Sequence, residues 1–194
     1  MRGPLHEAHI LKRLGIAALG CYAVHAAYHL AHGHAENLLW ACHFGAVLVG
    51  IGLVVSSATL NGVGALLLCM GTPLWLMDLV AGAKFMPTSC FTHIGALLIG
   101  LYGAWRLGMP QGLWWKSSAA LMALIVIARL VTPAEANVNV AFSIHPGWEP
   151  LFPSHKSYLT IMVLLASVYF FITQQVLVFC NKRLNRYKRE ETTS

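Results

Sequence analysis

Charged side chains are scarce in this sequence. Only 10% of its 194 residues are Asp, Glu, Lys or Arg, against roughly 25% in an average soluble domain. Hydrophobic residues make up 57% of the chain. A soluble protein of this length could not bury so much apolar surface, so the composition excludes an ordinary soluble domain and predicts a polytopic membrane protein.

Paired cysteines and nucleic-acid motifs are lacking as well. The five cysteines stand singly, without a Cys-x-x-Cys pair: Cys21, Cys42, Cys69, Cys90 and Cys180. This spacing argues against a disulfide framework, an iron–sulfur cluster or a zinc–thiolate site. The net charge of +6 comes without any nucleic-acid motif, and no internal repeat of the transporter kind is visible.

Long apolar runs are abundant instead. Six segments lie near the roughly 20 residues that cross a bilayer, at about 14–32, 37–58, 62–82, 90–107, 113–132 and 157–180. The first run has no small-x-small cleavage site, so a retained helix is predicted rather than a signal peptide. The predicted fold is an all-α bundle of six transmembrane helices in one membrane domain, with Asn37 capping the second helix, a break at Asn61-Gly62 and a long loop over 133–156.

Basic residues predict the orientation of the bundle. With six spans, one side collects ten of them: Arg2, Lys12, Arg13, Arg106, Lys116, Lys182, Arg183, Arg186, Lys188 and Arg189. The opposite loops hold only Lys84 and Lys156. By the positive-inside rule both termini are expected to be cytoplasmic, with loop 133–156 outside.

A stripe of histidines occupies the outer end of the first predicted helix. Tyr22, His25, His29 and His32 are spaced 3, 4 and 3 residues apart, which places them on one helical face. Buried imidazoles are costly in a membrane, so the stripe is expected to face a polar cavity open to the outside. A metal is one candidate ligand, held by His25, His29 and His32 with His43 of the second helix.

A haem is a second candidate ligand for the same region. Bis-histidine ligation takes one imidazole from each of two helices, and His25 or His29 with His93 would serve. The residue pattern leaves metal and haem open as alternatives.

Nucleophilic catalysis is another interpretation of these polar residues. Cys42 is a candidate nucleophile, His93 a candidate general base and Asp78 the carboxylate that orients it. A kink at Pro73 is expected to turn Trp75 and Asp78 toward the bundle axis. Adjacent helical residues point about 100° apart, so Cys42 is not expected to pair with His43.

The order of these features resembles the YwaF-like family of six-helix bacterial membrane proteins. The matching pieces are NLLWACHF (37–44), FTHIGALL (91–98) and RLVTPAEANVNVAF (129–142). The family is similar to membrane acyltransferases and to androgen-dependent hydrolases of fatty-acid esters. The resemblance implies an intramembrane enzyme on membrane lipid in the bacterial inner membrane, with Cys42 and His93 in the reactive positions.

Two further interpretations stay open at the level of sequence. The histidines, Asp78 and Arg129 are candidates for a proton or small-solute relay. Alternatively, the chain is an accessory subunit of a membrane complex, and its histidines only hydrogen-bond between helices.

Overall fold

The computed structural model describes the backbone of residues 4–193 and the side chains of residues 6–183. Helix accounts for 82% of the chain, and the described residues form no strand. Seven α-helices occur in order: α1 (Pro4–Ala31), α2 (Ala41–Val54), α3 (Ala58–Val80), α4 (Pro87–Cys90), α5 (Ala96–Leu107), α6 (Leu113–Val131) and α7 (His155–Thr193). A π-helical turn, Phe91–Gly95, joins α4 to α5 without a break.

Among the described residues, four helical stretches are long and apolar enough to cross a membrane: His6–Ala31, Ala58–Val80, Leu113–Val131 and His155–Arg183. Helix α2 is apolar but has only 14 residues. The prediction of an all-α membrane protein is therefore confirmed in this coarser form. Of the basic residues used for orientation, Arg2 lies outside the described residues, as do the side chains of Arg186, Lys188 and Arg189.

The boundary between α2 and α3 differs from the predicted one. Ser56 adopts a left-handed backbone (φ 55°), and the Ser57 hydroxyl accepts the Leu60 N–H at 3.3 Å as the cap of α3. Asn61 and Gly62, the predicted break, lie inside α3. Asn61 is fully buried there, and its amide donates to the Gly100 carbonyl of α5 at 3.0 Å. A buried, hydrogen-bonded asparagine thus joins two helices where the sequence suggested a turn.

Helices α2 and α3 contact each other through backbone. A Cβ added at Gly64 would lie 2.5 Å from the Gly45 carbonyl oxygen and 2.8 Å from the Val49 nitrogen. Small residues at such a crossing let two membrane helices approach closely. The contact holds α2, whose first turn carries Cys42 and His43, against α3.

Gly64→Ala is expected to separate α2 from α3 and to destabilise the protein by about 1–3 kcal/mol, the usual cost of overpacking. Thermal unfolding in detergent measures the loss. Gly20→Ala is the matched control, because nothing lies within 4 Å of a Cβ added there on α1. Equal unfolding temperatures for the two variants would contradict this description of the contact.

The loop over 133–156 is anchored to the start of α2. Asn139 is buried in a 3₁₀ turn, Val138–Val140. Its side-chain oxygen accepts the Ala41 N–H at 2.9 Å, and its nitrogen donates to the Leu39 carbonyl at 2.8 Å. Asn139 therefore caps α2 from a position far along the chain, where Trp40 supplies no side-chain cap.

Asn37 was predicted as the cap of the second helix, and this prediction is wrong. It lies within a 3₁₀ helix, Ala35–Leu39, and α2 begins only at Ala41. Asn139 accepts the first N–H of α2, and the Asn37 side-chain oxygen accepts the Trp40 indole N–H instead. Asn37 also contacts two histidines, His29 through its side-chain nitrogen and His43 through its backbone carbonyl.

Candidate functional site

Four buried histidines and one cysteine meet where α1, α2 and the π turn approach each other. His25 and His29 come from α1, Cys42 and His43 from the first turn of α2, and His93 from the π turn. The histidines are only 1–4% exposed. Two groups have ligand atoms within 4.8 Å of one another, His25–His29–His43 and Cys42–His43–His93. His43 belongs to both.

A directed chain of hydrogen bonds crosses the α1 side of this cluster. The Trp40 indole can only donate, and it donates to Asn37 Oδ1 at 3.0 Å. The Asn37 amide nitrogen therefore donates to His29 Nδ1 at 3.3 Å. Neutral His29 then carries its proton on Nε2 and donates to His25 Nε2 at 3.2 Å, and His25 Nδ1 donates to Thr88 Oγ1 at 2.9 Å.

His43 has its tautomer set by a backbone carbonyl. Its Nδ1 lies 2.6 Å from the backbone carbonyl oxygen of Asn37. A carbonyl can only accept, so the Nδ1 of His43 carries the proton and its Nε2 holds a lone pair. An imidazole fixed in this way by an outer hydrogen bond is the usual state of a histidine that ligates a metal.

His93 is held by contacts to α3. The Trp75 ring stacks on its imidazole at a centroid distance of 4.7 Å and an angle of 4°. The Thr72 hydroxyl donates to the His93 carbonyl at 3.1 Å, as the widened turn of a π-helix allows. His93 Nδ1 is buried and has no hydrogen-bond partner among the described residues. Buried unpaired nitrogens are costly and uncommon, so this atom is suited to a ligand.

Negative charge is confined to the margin of the cluster. The nearest carboxylate in sequence, Glu36, pairs with His34 at 3.1 Å on the connection between α1 and α2. The hydrogen bond from its own backbone N–H lowers the pKa of the Glu36 carboxyl, and His34 adds to that lowering. Glu36 is therefore ionised near neutral pH and belongs to neither ligand group.

Several predicted site residues lie apart from the cluster. His32 is exposed, stacks on Tyr28 at 4.2 Å and bonds the Tyr28 carbonyl at 2.7 Å. His32 lies one residue beyond the end of α1 at Ala31, where the helical stripe no longer continues. Arg129 donates to the Ala141 carbonyl at 2.7 Å and lies over the Phe142 ring.

Asp78 is also placed elsewhere. It is half exposed and forms a 3.3 Å ion pair with His145 of loop 133–156. Of the two residues that Pro73 was expected to turn inward, Trp75 contacts His93 and Asp78 does not share that face. The carboxylate predicted to orient His93 thus contacts the loop instead.

Asp78→Asn is expected to leave the cluster unchanged and to weaken only the contact with His145. Thiol labelling at Cys42 and metal content should match the parent protein. A loss of either property would show that Asp78 acts on His93 after all. Trp75→Leu is the contrasting variant, because it removes the ring that stacks on His93.

Cys42 and His43 point about 100° apart on the helix, yet their ligand atoms and that of His93 lie within 4.8 Å of one another. The imidazoles expected to line a polar cavity pack near one another: the ring centroids of His43 lie 4.7 Å from His25, 5.7 Å from His29 and 6.1 Å from His93. Two surface depressions, of about 280 and 340 Å³, lie elsewhere, beside His9 and beside Ser157.

The residues that hold the histidines in place were missed at the level of sequence. Thr88 receives the His25 bond, Asn37 contacts both His29 and His43, and Asn139 caps α2. The signal for Asn139 was present, since an amide in an apolar Asn-Val-Asn-Val stretch needs a buried partner. Nothing in the sequence indicated that its partner is α2.

Comparisons with protein-family models, with curated proteins and with solved structures find no match for this chain. The functional argument therefore rests on the geometry of the cluster.

Proposed function

We propose that this chain is an integral membrane protein that binds a transition-metal ion through its buried histidine–cysteine cluster. The observation that carries the proposal is the pair of ligand groups that share His43, each with its ligand atoms within 4.8 Å. Imidazole and thiolate are the donors that zinc, copper, iron and nickel prefer, and none of the five residues offers the oxygen donors suited to calcium or magnesium.

The spacing of the ligand atoms suits an ion. Tetrahedral ligands at about 2.0–2.3 Å from a metal lie about 3.3–3.8 Å from each other. In each group the ligand atoms lie no more than 4.8 Å from one another. A haem needs a wide slot between its two axial imidazoles, and rings that contact one another favour an ion over a macrocycle.

Metal content of the purified protein tests the proposal. After expression in metal-replete medium and extraction in detergent, elemental analysis is expected to find one transition-metal ion per chain. The matched control is His32→Ala, which removes an exposed histidine just after α1 and outside the cluster. Metal below a tenth of an equivalent in the parent protein, also after reconstitution, would overturn the proposal.

A second candidate function is thiol-dependent acyl transfer from a lipid ester. The specific observation in its favour is the proximity of Cys42 to His43 and His93. In such a reaction Cys42 Sγ would attack the ester carbonyl and pass its proton through an imidazole to the leaving alcohol. A thioester would form on Cys42, and water or a second alcohol would release the acyl group.

Iodoacetamide labelling distinguishes this second function from metal binding. A catalytic thiol is expected to label faster in the metal-free parent protein than in His93→Ala. A metal ligand is expected to be protected by added metal and to label equally in both metal-free proteins. Labelling at Cys180, which is exposed, serves as the internal control.

The membrane arrangement belongs to the same proposal. Six crossings with both termini cytoplasmic agree with the ten-to-two distribution of basic residues. Pro87 to Leu107 is continuous and about 30 Å long at 1.5 Å per residue, and the shorter α2 would require local thinning of the bilayer. The proposal also includes kinship with the YwaF-like family and a location in the bacterial inner membrane. In that location the protein would contact membrane lipid or the subunits of a membrane complex.

A further inference from the structure

The two ligand groups around His43 differ in how their lone pairs are used. In the group His25–His29–His43, His29 donates from Nε2 to His25 Nε2. The Nε2 of His29 therefore carries a proton, and the lone pair of His25 Nε2 accepts that hydrogen bond. The direction follows from Trp40 and Asn37, which present only an amide N–H to His29 Nδ1. To ligate through Nε2, His29 would have to carry its proton on Nδ1 instead, and the Asn37 side-chain amide would have to flip to accept it. The flip would point the Asn37 amide nitrogen at the Trp40 indole N–H, so that two donors faced each other.

In the group Cys42–His43–His93, both histidines have a ring nitrogen with a free lone pair. His43 holds its proton on Nδ1 against the Asn37 carbonyl at 2.6 Å, which leaves Nε2 free. His93 keeps a buried ring nitrogen without a partner, and Trp75 holds that ring in place by stacking. Cys42 supplies the third donor within 4.8 Å of both. No rearrangement of the α1 hydrogen bonds is required for these three to bind an ion.

The charge of the donors then restricts the ion. Two neutral imidazoles and one thiolate carry a single negative charge, which a monovalent cation neutralises. A divalent ion would leave one uncompensated positive charge in an apolar helical bundle, where net charge is costly. Neither Glu36, which contacts His34, nor Asp78, which contacts His145, belongs to either ligand group.

We propose that Cys42, His43 and His93 form a three-coordinate site for a monovalent thiophilic cation, namely Cu(I). This inference rests on the proposed metal binding and specifies the ligands and the charge of the ion. Thiolate selects Cu(I) over harder ions. The hydrogen-bonded pair His25–His29 would form one wall of the site and contribute no ligand.

Competitive titration of the purified full-length protein under nitrogen tests the inference. Cu(I) is offered in the presence of a chromophoric Cu(I) chelator, Ag(I) is used as a redox-inert analogue, and Zn(II) and Co(II) are offered in parallel. The expected result is one Cu(I) or Ag(I) per chain, bound in preference to Zn(II) and Co(II).

Variants identify the ligands. Removal of an outer-shell partner typically costs about 10–100-fold in metal affinity. Cys42→Ser, which removes a ligand, is therefore expected to weaken Cu(I) binding by more than about 100-fold. His29→Ala, in the other group, should change it by less than about 10-fold. Elution volume and helical content check that each variant is folded, and Cys42→Ala repeats the test if Cys42→Ser is misfolded.

Two contrary results have different meanings. One Zn(II) or Co(II) per chain, lost in His29→Ala and retained in Cys42→Ser, would overturn this inference and leave the proposed metal binding intact. No binding of any of the four ions would overturn both.

Discussion

Replacing His43 by alanine is expected to abolish metal binding, with a loss of affinity of more than about 100-fold, beyond what an outer-shell contact contributes. The reason is geometric: His43 is the one residue shared by the groups His25–His29–His43 and Cys42–His43–His93. Whichever group holds the ion, its Nε2 is a ligand. Elemental analysis of the purified variant, together with titration of the added metal, measures the effect.

The control for this variant is His32→Ala, one residue beyond the end of α1. His32 is exposed and bonds the Tyr28 carbonyl, so its loss should leave the metal content unchanged. His43→Gln adds a second comparison, because its side chain keeps hydrogen-bonding capacity and lacks the imidazole. Metal retained in His43→Ala would contradict the shared-ligand geometry.

Asn139→Ala is expected to have the largest effect on folding among single substitutions in loop 133–156. It removes two buried hydrogen bonds, one to the Ala41 N–H and one to the Leu39 carbonyl. Each orphaned backbone group costs about 1–3 kcal/mol, so a loss of roughly 2–4 kcal/mol is expected after partial relaxation. Asn139 and Val140 also hold positive φ angles near 54°, and strain of this kind persists only where surrounding contacts enforce it.

The consequence of Asn139→Ala extends to the site, since Cys42 and His43 lie in the helical turn that Asn139 caps. Thermal unfolding should show the loss of stability, and proteolysis should cleave loop 133–156 faster. Ser143→Ala, an exposed position of the same loop, is the control. Unfolding and proteolysis equal to those of the control would contradict the capping role.

Much of the cluster was predictable, because depth in the membrane follows from position along a helix. His25, His29, His43 and His93 were each expected near one end of the bundle, and the structure brings them together. The carboxylate was harder to place. Pro73 lies inside a continuous α3, and position around that helix decides that Trp75 meets His93 and Asp78 meets the loop.

Contacts between segments distant in sequence could not be predicted. The capping of α2 by Asn139 bridges 98 positions, and the bond from His25 to Thr88 bridges 63. Asn61 looked like a turn residue because asparagine followed by glycine is typical of turns, yet burial against Gly100 outweighs that local preference. A sequence pattern indicates the local preference of each residue and the periodicity of buried positions. These pairings depend instead on how the helices pack.

X-ray absorption spectroscopy of the metal-loaded protein tests the central claim most directly. The claim is that a transition-metal ion lies among buried imidazoles of α1, α2 and the π turn, with the Cys42 thiolate close to it. The predicted spectrum shows imidazole multiple scattering and a sulfur neighbour that disappears in Cys42→Ser. A first shell of oxygen atoms alone, without imidazole or sulfur, would contradict the claim.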